Sequence, residues 1–95
     1  MKFEDYKTIC FSTAHITYDD SVLLGEMADQ ELGTVAIRST GYFVKVLQPN
    51  YVNMEIYGHM PSLYQLVIIA INNGYECIEL DRDAKTYDNL PTFNW

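Results

Sequence analysis

Five short stretches in which apolar and polar residues alternate, set among only two helical stripes, limit what this 95-residue chain can build. Thr8–Ile16, Thr34–Ser39, Tyr42–Leu47, Tyr51–Tyr57 and Tyr75–Leu80 are rich in β-branched and aromatic residues and read as strands. Thr40-Gly41 and Gln48-Pro49-Asn50 mark turns between them. Val22, Leu23, Met27 and Ala28 share one face of a helix over residues 18–31. Thr17 stands where its N-cap should be, Asp19 and Asp20 occupy its first turn, and Gly33 stops it. Pro61 opens a second helix with the stripe Leu63, Leu66, Val67, Ala70 and Ile71, ended by Asn72-Asn73-Gly74. The order β-α-β-β-β-α-β predicts an α+β two-layer sandwich. Its sheet is mainly antiparallel and five-stranded, both helices lie on one face, and the layout is a ferredoxin-like variant.

The length suits one domain, residues 1–95. Residues 81–95 are polar but close on Leu90, Phe93 and Trp95, which predicts that this tail packs back onto the domain.

Strand parity gives the most informative expectation. Side chains on one face repeat every second residue. Facing the helices are Ile9, Phe11, Val35, Ile37, Tyr42, Val44, Val46, Val52, Met54, Ile56, Ile78 and Leu80. The opposite face then carries Phe43, Tyr51, Tyr57 and Tyr75 with no helix to cover them. Aromatic residues on an uncovered sheet face point to a partner. The competing outcomes are cover from the tail through Phe93 and Trp95, burial in a symmetric homodimer, or a one-residue slip that swaps the two lists.

Thirteen acidic against six basic residues give a net charge of −7. Such a surface repels phosphate backbones, and on the open sheet only Arg38 and Lys45 are available to hold one, so direct nucleic-acid binding is disfavoured. The longest apolar run, Leu66–Ile71, is far shorter than a membrane span. Glu4 and Asp5 stand where a signal peptide would turn apolar, so the expected location is the cytoplasm. Cys10 and Cys77 are then expected as reduced, buried small side chains. No CxxC or HxxxH spacing suggests a metal, and no glycine motif suggests a cofactor.

Ser12, His15, His59, Asp81 and Asp83 are the residues with chemistry to offer. His15 at a strand end, beside Ser12, suits a general base or a ligand-binding group. The plainer expectations are a structural His15, a solvated His59 and turn-forming aspartates at 81 and 83. No G-x-S-x-G elbow surrounds a serine, so no catalytic residue is assigned. Asp19, Asp20, Glu26, Asp29 and Glu31 give the first helix an acidic face that a basic partner would attract.

Ser12-Thr13-Ala14-His15-Ile16, Leu23-Leu24, Pro61 with Leu63 and Leu66, Leu80-Asp81-Arg82-Asp83 and Leu90-Pro91-Thr92-Phe93-Asn94-Trp95 together resemble a family of small uncharacterised proteins carried by bacterial plasmids and genomic islands. That resemblance implies no activity. Met1-Lys2-Phe3 followed by Ser12-Thr13-Ala14-His15 is similar to the start of a small phage anti-CRISPR protein, which implies a small, acidic, non-catalytic inhibitor. The expected function is therefore an interaction protein of a phage or mobile element that occupies a basic, nucleic-acid-binding surface of a host complex. Tyr51, Tyr57, Tyr75 and Phe43 would anchor it, and Asp19, Asp20 and Asp29 would steer it. A small enzyme or ligand-binding domain centred on His15 and the Asp81–Asp83 corner is the second reading, and a homodimeric accessory protein the third.

Overall fold

The computed structural model describes residues 1–30, 34–46 and 57–95. The chain runs β1 (Thr8–Phe11), a 3-10 turn (Thr13–His15), α1 (Tyr18–Asp29), β2 (Val35–Arg38), β3 (Gly41–Lys45), α2 (Pro61–Asn72) and β4 (Cys77–Asp81). The α+β class is as expected, but the sheet differs. Among the described residues it has four strands, in the order β1-β4-β3-β2. It is mixed: β1 pairs parallel with β4, while β3 runs antiparallel to both β4 and β2. A ferredoxin-like sheet would keep the first strand inside, whereas here β1 is an edge. Burial accounts for the arrangement. β4 is buried at Cys77, Ile78 and Leu80, on both of its faces, whereas β1 leaves Thr8 and Cys10 exposed. The strand with apolar residues on both sides takes an interior place. Of the expected strand Tyr51–Tyr57, residues 51–56 lie outside the described residues. Tyr57 itself is helical and buried in the core, so it is not an open-face residue.

Parity holds along the four strands. The register aligns Val35, Val44 and Ile78 in one row and Tyr42 and Leu80 in the next, with Ile9 and Phe11 beside them. Phe11, Val35, Val44, Ile78 and Leu80 join Ile16, Leu24, Leu63, Leu66, Val67 and Ala70 in one buried cluster, so both helices cover this face. Ile37 shares its parity but stands exposed on the edge strand β2. The second face carries the row Cys10, Glu79, Phe43 and Ala36, and beside it Thr8, Cys77 and Lys45. Cys77 is buried there, but Cys10 is exposed, contrary to its expected burial.

Local chemistry sets the ends of the elements. Thr17 caps α1, its hydroxyl accepting from the Asp20 amide at 3.1 Å. Pro61 fills the first turn of α2, where a missing N–H costs nothing. Behind α2, Gly74 takes φ +79°, its amide donates to Ile71 O, and Tyr75 N donates to Ala70 O. This is a Schellman end, and it folds Tyr75 back against the helix-side core rather than onto the open sheet face. The hairpin turn is Ser39-Thr40, one residue earlier than expected, because Arg38 pairs with Gly41. Gly41 begins β3 under close constraint. A Cβ there would lie 1.9 Å from the Leu80 carbonyl oxygen.

Candidate functional site

The 3-10 turn at the end of β1 organises the site. Ser12 caps it, accepting the Ala14 amide at 3.1 Å, and Ser12 is itself buried. The turn carries His15 into the interior. There Nδ1 lies 2.8 Å from Pro91 O, so it must carry the proton and donate. Nε2 accepts the Tyr87 amide at 3.0 Å. Phe11 meets the imidazole edge-on, and Tyr87 stacks against it. Both ring nitrogens are thus spent on backbone groups of the tail. His15 is a fastener, and no lone pair is left for a base or a metal ligand.

The same fastener places the last residues. Phe93 N donates to Ala14 O at 2.8 Å, and Trp95 Nε1 donates to Ile16 O at 2.9 Å. The Trp95 ring meets Tyr18 edge-on, with centroids 5.7 Å apart. Through these contacts the tail lies at the end of β1 and the start of α1.

Between the tail, the 3-10 turn and the β2–β3 hairpin lies a cleft of about 550 Å3, lined by residues 12–14, 21, 37–42, 82 and 93–95. Of the residues expected to form a ligand site, Ser12 lines it, and His15, His59, Asp81 and Asp83 do not. Asp81 accepts the Asp83 amide at 2.8 Å, a turn formed by an aspartate side chain. His59 is exposed in the loop ahead of α2. Among the described residues no three of His, Cys, Asp or Glu come together as a metal site.

The residues expected to meet a partner divide. Asp19 and Asp29 are exposed on α1. Asp20 is not available: it is buried, and its Oδ2 accepts the Ser62 amide at 2.9 Å, the Leu63 amide at 3.1 Å and the Ser62 hydroxyl. Phe43 is half-buried on the second sheet face. Tyr75 is half-buried, with Lys7 Nζ 4.6 Å above its ring. Tyr57 is in the core, where burial pushes its phenol above the usual range. Tyr51 lies outside the described residues. Burial, followed by Glu79 and Asp81 nearby, pushes the Cys10 thiol up, and burial does the same for Cys77.

Sequence reasoning gave Tyr18 and Arg82 no role at a site, and gave Trp95 only a packing role in the tail. Tyr18 and Trp95 are 59% and 55% exposed, yet the indole N–H bond and the edge-on contact hold both rings in place. The signal was present in the single tryptophan of the chain and in a tyrosine directly after the Thr17 cap. Among the curated proteins and among the solved structures, nothing matches the chain. One family does match, over residues 8–95, with its C-terminal domain. This protein belongs to that family of unknown function, DUF5983.

Proposed function

We propose that this protein works as a binding module whose partner is a protein with a basic surface. The observation that carries the reading is the solvent side of α1. Asp19, Val22, Glu26 and Asp29 follow one another at helical spacing beside the fixed Tyr18–Trp95 pair, and all are exposed. Glu26 and Asp29 stand in the last turn of α1, which holds no basic residue. The helix dipole disfavours anions at that end, so these carboxylates lower the stability of the helix that carries them. Acidic residues that carry a local cost fit a role in contact with something else. Carboxylates on the rim speed encounter with a cationic surface, and Tyr and Trp are the side chains that most often supply the binding energy.

Basic surfaces of this kind on large proteins commonly serve nucleic acid, and an acidic domain seated there excludes it. An inhibitor of a host defence complex, carried by a phage or plasmid and acting in the cytoplasm, is the biological form this reading takes. Its support is the net charge of −7 and the likeness of Met1-Lys2-Phe3 and Ser12–His15 to an anti-CRISPR protein.

The test is affinity capture from nuclease-treated bacterial lysate, with the wild type against a variant carrying Asp19→Asn, Glu26→Lys and Asp29→Lys. Asp19 is neutralised rather than reversed because a lysine at a helix start opposes the dipole. The reading expects a basic nucleic-acid-binding protein that the wild type retains and the variant does not. Equal capture by both proteins, or no such protein with either, contradicts it.

A further inference from the structure

The charge of the cleft runs against that of the chain. Of the residues lining it, Arg38 and Arg82 are basic, and none is Asp or Glu, although acids outnumber bases thirteen to six in the sequence. Arg38 is paired with Glu79. Arg82 is exposed and makes no ion pair among the described residues, while its amide donates to Thr40 O at 2.9 Å and so fixes its backbone to the hairpin turn. Asp81 and Asp83 flank it in sequence, but neither lines the cleft, and Asp81 Oδ1 is engaged by the Asp83 amide. Arg82 therefore brings to the cleft lining a guanidinium with no ion-pair partner among the described residues, on an anchored backbone. Trp95 also lines the cleft, its ring held by Ile16 O and still more than half exposed. Thr40 adds a buried hydroxyl oxygen with no hydrogen-bond partner among the described residues. The volume lies within the range of small-molecule sites.

We propose that this cleft binds a small oxyanion that carries a flat ring, with Arg82 holding the charge and Trp95 facing the ring. A guanidinium recognises carboxylate and phosphate groups through paired N–H donors. An exposed indole face stacks on planar rings, and fixing it beforehand removes the ordering cost that binding would otherwise carry. The inference shares Trp95 with the α1 surface, but it rests on Arg82 and the cleft, so the Arg82 variants test it separately from the acidic face.

Amide chemical shifts of the 15N-labelled protein test it, with five probes: adenosine 5′-monophosphate, uridine 5′-monophosphate, 4-hydroxybenzoate, adenosine alone and inorganic phosphate alone. At least one of the three ring-bearing oxyanions is expected to shift the amides of residues 12–14, 40–42 and 93–95 in a saturable way. It should bind at least about tenfold more tightly than adenosine or phosphate alone, and which of the three binds distinguishes phosphate from carboxylate. Arg82→Gln, a change at an exposed side chain, should weaken that probe by about tenfold or more, the value of one charge-assisted contact. Arg82→Lys should recover only part of the loss. The proposal is overturned if none of the three shifts those amides at millimolar concentration, or if Arg82→Gln binds as the wild type does.

Discussion

Asp20 of α1 caps α2 through Ser62. Its carboxylate, 2% exposed, accepts the Ser62 and Leu63 amides and the Ser62 hydroxyl, and the same hydroxyl accepts the Thr17 amide at 3.0 Å. Met60, which precedes α2, offers no side-chain cap of its own. The N-terminus of one helix is thus completed by a residue from the first turn of the other, and the two helix starts are locked together on the same side of the sheet.

Replacing Asp20 with Ala should lower the unfolding free energy by about 2–4 kcal/mol, because it strands buried N–H donors and removes bonds to a charged acceptor. Asp20→Asn should cost less, since an amide oxygen can still accept. Asp19→Ala, on the exposed side of the same turn, should stay within about 0.5 kcal/mol of the wild type. Urea unfolding of the three variants checks the order.

His15→Ala should free the tail. It removes the bonds to Pro91 O and Tyr87 N and the packing against Phe11, at a cost of about 2–4 kcal/mol. Tyr87 and Phe93 amide exchange should speed up, and the emission of Trp95, the single tryptophan, should shift to the red. Unchanged emission would mean that the tail is held without His15.

The glycines should separate sharply. Gly41→Ala presses a methyl group into the Leu80 carbonyl and should cost about 3 kcal/mol or prevent folding. Gly74→Ala should cost about 1–2 kcal/mol through its left-handed backbone. Gly58, with open space around it, should accept Ala with almost no change. Thermal unfolding of the three variants gives the ranking.

Burial raises the thiols of Cys10 and Cys77 and the phenol of Tyr57. Each group keeps its proton in the folded chain after the unfolded chain has released it. Its contribution is therefore full below the unfolded pKa and is lost as the pH rises through the folded one. Stability should be flat from pH 7 to about 8.5 and then fall, first for the thiols and again above about 10 for Tyr57. The double change Cys10→Ala with Cys77→Ala should remove the first fall, and Tyr57→Phe should lessen the second.

The four described strands and both helices were legible because each carries its signal within a few neighbours. Alternation through Phe11, Val44, Ile78 and Leu80 fixed the inner face, and Thr17 and Pro61 marked the helix starts. The strand order was not legible, since it depends on which strand is buried on both sides, and that shows only once distant segments pair. Tyr57 was misread because its aromatic ring, next to an alternating run, fits a strand as well as a buried helical turn. Asp20 resembled a surface acid because its partners, Ser62 and Leu63, stand more than forty residues away in sequence. His15 hid its role for the same reason: Tyr87 and Pro91 reach it from the far end of the chain.

Reversal of Glu26 and Asp29 tests the central claim most directly, because stability and binding should then move in opposite directions. Lysines in the last turn of α1 complement the helix dipole, so Glu26→Lys with Asp29→Lys should raise the unfolding free energy by about 0.3–1 kcal/mol per site. The same variant should lose at least about tenfold in affinity for the captured basic protein at 0.15 M salt, and the gap should narrow as salt is added. A variant that is more stable and binds as tightly as the wild type would contradict the account.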